Sequence, residues 1–199
     1  MRLLQLRTKA LASGPLFELA TELATAARES GATFILNDRA DLARMIGVRP
    51  GSDLGQTRVR PRSDPGLTPV VGVHVGQTDL PPADARAIVG PDALVGLSTH
   101  SADELHAAMR EPVDYVAVGA VFQTSIKGPT HPTVGVEFVR QAAVLGAAHG
   151  KPIVAIGGIT LDTARPIIDA GASSVAIISD LLAGDPVERA RQYLSVLGA

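Results

Sequence analysis

Seven short apolar runs punctuate the chain: LLQL (3–6), TFILN (33–37), GVHV (72–75), ALVGLS (93–98), YVAVG (115–119), PIVAIG (152–157) and SVAIIS (174–179). Between them lie amphipathic stretches at 15–29, 82–89, 101–110, 134–148, 160–170 and 185–197. Apolar runs of this length are strands buried on both faces, and that burial requires a sheet covered by helices. Regular alternation of such runs with helical patterns specifies parallel strands joined by right-handed crossovers. Start signals agree: Ser101 with Glu104 has capping-box spacing, and Pro82 and Pro186 suit first-turn positions. The chain is 46% hydrophobic but only 3% aromatic, so its core is built from Val, Ile, Leu and Ala.

The implied fold class is α/β, a TIM (β/α)8-type barrel. Seven βα units are counted where a closed barrel, typically of about 250 residues, has eight. The first run begins almost at Met1, so the expectation is a barrel lacking its first βα unit. The exposed strand edge that this leaves is an association surface, compatible with a homo-oligomer. At 199 residues the chain is read as a single domain, 1–199, able to bury about 70% of its unfolded surface. A net charge of −2 gives no reason to expect nucleic acid or an acidic membrane as partner. The absence of cysteine excludes disulfides, thiolate nucleophiles and Cys-based metal sites. With no leader pattern and no apolar run of about 18 residues, a cytoplasmic protein is expected.

Segment 48–70 breaks the pattern, with four prolines, three glycines, four arginines and no helical period. It is read as a Pro/Arg-rich insertion forming a flexible loop. Within it, GSDLGQTRVRP (51–61) repeats GVHVGQTDLPP (72–82) at an offset of 21, but Arg58 stands where the second copy has Asp79. Two copies do not make a solenoid.

Polar residues gather at the C-terminal ends of the runs, which in a parallel barrel share one rim. Gln5, Arg7 and Lys9 lie within or just after the first run, Asn37 and Asp38 at the end of the second, and Asp79 after the third. Ser98 ends the fourth, Thr124 and Lys127 come after YVAVG, Gly157 and Gly158 come next, and Ser179 is last. Arg7, Lys9 and Lys127 are cations suited to phosphate. Asp38 and Asp79 are hard oxygen donors appropriate to Mg2+ that also bridges substrate phosphates. Gly157–Gly158 ahead of a helix, completed by AIIS (176–179), forms a natural phosphate seat. Two phosphate-binding regions and one metal suggest a diphosphate and a monophosphate substrate. His74 is read as structural, His100 as a helix cap, His106 and His149 as solvated, and His131 lies in a Pro-rich loop.

In order along the chain, LLQLRTK, ILNDRADLA, GVHVGQTDLP, VGLSTHS, DYVAVGAVFQTSIK, PIVAIGGI and SVAIIS resemble the successive signatures of thiamine phosphate synthases. The resemblance spans nearly the whole chain outside 48–70. It implies a transferase joining hydroxymethylpyrimidine diphosphate to a thiazole phosphate, releasing pyrophosphate with help from Mg2+. Carried over by position, Gln5, Arg7, Lys9, Asn37, Ser98 and Lys127 would hold the pyrimidine diphosphate, with Arg7, Lys127 and Ser98 acting at the reacting centre. Asp38 and Asp79 would bind the metal. Thr124, Ser125 and Ile126 would contact the thiazole phosphate, with Gly158, Ile178 and Ser179 on its other side. Ile126 replaces the second threonine of the family's T-x-T-K loop. The related thiazole tautomerase carries a histidine where Ala120 stands and ranks second. A truncated homologue that only binds ligand is the reading from a different class.

Overall fold

The computed structural model of the protein describes residues 3–47, 71–124 and 132–198. The 48–70 insertion, with Arg58, lies outside them, as do Ser125, Ile126, Lys127 and His131. The chain divides into two compact units, Met1–Leu97 and Ser98–Ala199. The first contains β1 (Leu3–Leu6), α1 (Ser13–Glu29), β2 (Thr33–Asn37), α2 (Ala40–Gly47), β3 (Val71–Val75), α3 (Pro82–Val89) and the opening of β4 (Leu94–Thr99). The second holds the end of β4, α4 (Ala102–Ala108), β5 (Tyr115–Val118), α5 (Gly135–Ala148), β6 (Ile153–Ile156), α6 (Leu161–Asp169), β7 (Ser174–Ala176) and α7 (Pro186–Leu197). In each unit neighbouring strands are parallel and follow chain order, as right-handed βα crossovers require. The described residues thus contain the seven βα units counted in the sequence.

Helix α1 shows how the pattern is realised. Its buried residues are Leu16, Ala20, Ala24 and Ala27, a stripe at helical spacing whose small side chains let the helix approach the strands closely. Strand β3 is buried along its whole length, and β2 is buried from Thr33 to Leu36. Phe34, Ile35, Leu36, Val73, Val75 and Val95 fill the core of the first unit; Val116, Val118, Val121, Val139, Ile153 and Ile167 fill that of the second. Strand β1 differs, with Leu3 and Leu4 exposed. Among the described residues its one strand neighbour is β2. No helix among them is long and apolar enough to cross a membrane.

Two local expectations shift. Ser101 Oγ accepts the Glu104 N–H at 3.2 Å as a cap should, but the Glu104 carboxylate reaches one residue further back. It accepts the His100 N–H at 2.7 Å and lies 3.2 Å from His100 Nδ1. The His100 ring therefore serves the start of α4. The run SVAIIS is a strand only to Ala176. Its ladder partner β6 ends at Ile156, where Gly157 at φ +99° turns the chain away, so nothing remains for Ile178 and Ser179 to pair with.

Gly72 in β3 is set by packing alone. It pairs with Ile35 and Leu94, and a Cβ there would lie 2.5 Å from the Leu94 carbonyl oxygen and 2.7 Å from Ile35 Cδ1. Gly72→Ala is expected to destabilise the protein by about 1–3 kcal/mol through overpacking. Urea denaturation tests this, and an unchanged midpoint would contradict it.

Candidate active site

In the first unit, two acidic side chains meet at the ends of adjacent strands. The Asp38 N–H donates to the His74 carbonyl at 2.8 Å, carrying the β2–β3 ladder one residue beyond Asn37. Asp38 itself has φ +65°, a left-handed conformation that aspartate tolerates better than most side chains. The Arg39 N–H then donates to the Asn37 carbonyl at 2.8 Å, closing a tight turn into α2. Asp79 is fixed differently. Its Oδ2 accepts the Gly76 N–H at 2.8 Å while its own N–H donates to the Gly76 carbonyl at 3.3 Å.

These two turns bring the carboxyl groups of Asp38 and Asp79 within hydrogen-bonding reach of each other. Burial pushes the Asp38 carboxyl above the usual aspartate range, and the hydrogen bond and negative charge of Asp79 push it further. Lys9 and Arg7, just past β1, oppose that shift with their positive charge. The structure therefore brings four expected residues, Arg7, Lys9, Asp38 and Asp79, into one electrostatic cluster. Gln5, in β1, is exposed, and Asn37, the last residue of β2, is half-buried.

A carboxyl group such as Asp38, held back from ionising by burial and by a neighbouring aspartate, is a donor that a divalent cation would relieve. Among the described residues no group of three or more His, Cys, Asp or Glu forms a metal cage. Two carboxylates still fit Mg2+, which keeps several waters and takes substrate phosphate oxygens rather than a full protein shell. A further contact braces this cluster and carries no signal in the sequence. Arg39 forks onto Asp41 at 2.9 and 2.7 Å and reaches Ser13 Oγ at 3.0 Å, joining the start of α2 to the start of α1.

In the second unit, Ser98 is half-buried near the end of β4. Beside it Thr99 is buried and its hydroxyl donates to the Ala117 carbonyl at 3.1 Å. Past β5 the chain keeps pairing: the Val121 N–H donates to Ile156 at 2.9 Å and the Phe122 N–H to Gly157 at 3.0 Å. A Cβ on Gly157 would sit 2.6 Å from Ala120 Cα and Cβ, and one on Gly158 2.8 Å from Phe122 Cβ. These glycines thus bear a second requirement besides bare backbone, namely the close approach of the segment after β5. Thr124 leaves this contact half-buried. Beyond residue 131 the chain returns to it, with Val134 N–H on the Ala120 carbonyl at 2.8 Å and Gly135 N–H on that of Val121 at 3.2 Å. Ile178 and Ser179 are exposed in the turn after β7. The next residue, Asp180, is tied to both Arg189 and Tyr193. Reading the sequence singled out none of these three, because a lone aspartate after a serine carries no spacing signal.

Comparison with known proteins agrees with this architecture. Residues 1–181 match the family model described as thiamine monophosphate synthase. The thiamine-phosphate synthase of Koribacter versatilis is 42% identical over 195 residues, which cover 98% of this chain and 80% of that protein. That of Chlorobium luteolum is 37% identical over 196 residues, covering 98% and 81%. Among solved structures, a thiamine phosphate pyrophosphorylase from Pyrococcus furiosus superposes with a TM-score of 0.78 at 26% identity, covering 98% of this chain and 82% of that one. Seven βα units in sequence order, strand-end carboxylates and glycines, and relatives of this similarity agree: the chain belongs to the thiamine-phosphate synthase family of transferases.

Proposed function

We propose that this chain is an active cytoplasmic thiamine phosphate synthase, coupling hydroxymethylpyrimidine diphosphate with a thiazole phosphate and releasing pyrophosphate. The observation that carries the reading is the Asp38–Asp79 pair at the ends of β2 and β3, with Arg7 and Lys9 acting on it. An acidic pair beside two cations is a site for a metal-bound diphosphate. Gln5, Arg7, Lys9, Asn37, Ser98 and Lys127 bind the pyrimidine diphosphate in this reading, and Asp38 and Asp79 hold Mg2+. Thr124, Ser125 and Ile126 with Gly158, Ile178 and Ser179 bind the thiazole phosphate.

Bound Mg2+ would supply charge neutralisation at the oxygens of the departing pyrophosphate. The chain's own contribution is cationic and positional. Arg7, Lys9 and Lys127 lower the energy of negative charge as the carbon–oxygen bond to the diphosphate breaks and its electron pair leaves with pyrophosphate. Ser98 helps hold the pyrimidine diphosphate at the reacting centre through its hydroxyl. The lone pair of the thiazole nitrogen, pre-positioned by the phosphate seat, then forms the new carbon–nitrogen bond. The step needs no protein nucleophile, in keeping with a sequence free of cysteine.

Mass-spectrometric detection of thiamine phosphate, with and without Mg2+, is the direct test. Product that requires the ion is expected; folded protein yielding none would favour a non-catalytic homologue. Asp79→Asn should lower kcat by about 100-fold or more, whereas Arg58→Ala, in the other copy of the short repeat, should leave turnover unchanged. The raised pKa of Asp38 makes a separate prediction about stability. A carboxyl that binds its proton more tightly in the folded state stabilises the fold at low pH. That contribution is lost as the pH rises from the 3.8 of a free aspartate through the higher folded value. At neutral pH without metal, Asp38→Asn should therefore raise the melting temperature while removing the stabilisation that Mg2+ gives the native chain. Calorimetric melting with and without Mg2+ checks both signs.

A further inference from the structure

Asp180 stands directly after Ser179 and is fastened to α7 (Pro186–Leu197) by three hydrogen bonds. The Tyr193 hydroxyl donates to its Oδ2, and Arg189 Nη2 donates to its Oδ1 at 2.9 Å. Arg189 Nε also donates to the Asp180 main-chain carbonyl at 3.2 Å, so one guanidinium grips both the side chain and the backbone of the turn. Arg189 and Tyr193 are four residues apart on α7 and present one face to Asp180. Tyr193 is the buried residue of that helix. The α7 helix that holds Asp180 packs in turn against α6.

Helix α6 begins three residues after Gly158, and Asp180 lies one after Ser179. The packed pair α6 and α7 therefore stands behind both proposed halves of the phosphate seat, and Asp180 ties the second half to it. Burial by itself would raise the Asp180 carboxyl, but the hydrogen bonds from Tyr193 and Arg189 and the charge of Arg189 hold it below the usual aspartate range. An anion beside a phosphate seat would repel its ligand if unbalanced, and Arg189 balances it. The charge of Asp180 is thus directed into α7, where both carboxylate oxygens find their donors.

We propose that Asp180 is the positioning residue of the thiazole-phosphate seat, fixing the Ile178–Ser179 turn to α7, the helix that packs against the α6 that follows Gly158. The inference rests on the reading of Gly158, Ile178 and Ser179 as that seat. Asp180 touches no substrate, and its effect passes through the backbone it holds. Loosening the turn lowers the effective alignment of phosphate donors without altering the chemistry at the carboxylate pair of the first unit.

The test is steady-state kinetics with each substrate varied in turn. Asp180→Ala should raise KM for thiazole phosphate about tenfold, the loss of roughly one good hydrogen-bonded contact. Its kcat and its KM for the pyrimidine diphosphate should stay within about twofold. Tyr193→Phe, which deletes one donor and keeps the packing, should shift the same KM in the same direction by less. Asp180→Asn, which keeps an acceptor, should fall between the native chain and Asp180→Ala. Equal rises in both KM values, or no rise in folded variants, would overturn the proposal. If Asp180→Ala does not fold, Tyr193→Phe decides by the same criterion. Should the native chain bind thiazole phosphate by calorimetry without turning over, the synthase reading fails, and affinity replaces KM: weaker binding by Tyr193→Phe supports the positioning role and equal binding overturns it. A native chain that binds no thiazole phosphate would overturn both.

Discussion

The hydrogen bond from the Asp38 N–H to the His74 carbonyl extends a parallel ladder by one residue, and the chemistry of the first unit depends on that extension. Without it, the chain would leave β2 at Asn37 and the carboxyl group would follow the start of α2 outward. With it, Asp38 is pinned at the end of a buried strand in a left-handed conformation, opposite a neighbour whose own turn aims Asp79 at the same point. Strand spacing in a sheet is about 4.8 Å, so carboxyl groups extending from the ends of adjacent strands have little room to avoid one another. The arrangement carries strain and charge repulsion together, a combination that persists where surrounding structure over-determines it and function rewards it.

The second unit solves a different problem. Its ligand-facing candidates are backbone-rich turns rather than ionised side chains, and backbone turns keep their shape only when something behind them is rigid. Behind Gly157 and Gly158 lies the chain segment after β5, paired to the end of β6 through Val121 and Phe122. Behind Ile178 and Ser179 lie the bonds of Asp180 to α7. Charge does the work in one unit and packing in the other.

Strand order, helix spacing and the identity of the strand-end polar residues were legible because each rests on a local periodicity or on a residue type at a fixed offset. Leu16, Ala20, Ala24 and Ala27 announce a buried helix face before any partner is known. The family signatures from LLQLRTK to SVAIIS are equally local, which is why membership could be read from them. Contacts bridging distant segments were not legible. Arg39 reaching Ser13, across 26 positions, leaves no trace in the spacing of either motif. The length of β7 was overread because Ile178 continues an apolar run, whereas strand extent is set by where the partner strand turns away. The capping pattern at Ser101 was half right for a related reason: Glu104 found His100, a choice set by side-chain rotamer rather than sequence interval.

Gly157 illustrates a wider consequence. A Cβ there would lie 2.6 Å from both Cα and Cβ of Ala120, so backbone as well as side chain stands in its way. No exchange at 120 alone makes room for a side chain at 157. Among descendants of this sequence, a larger residue at 157 would first demand that the segment after β5 and the β6–α6 turn part, and that turn carries half of the proposed phosphate seat. Drift at this glycine is thereby tied to the ligand geometry of its loop. Substrate choice and backbone packing in this part of the chain change together.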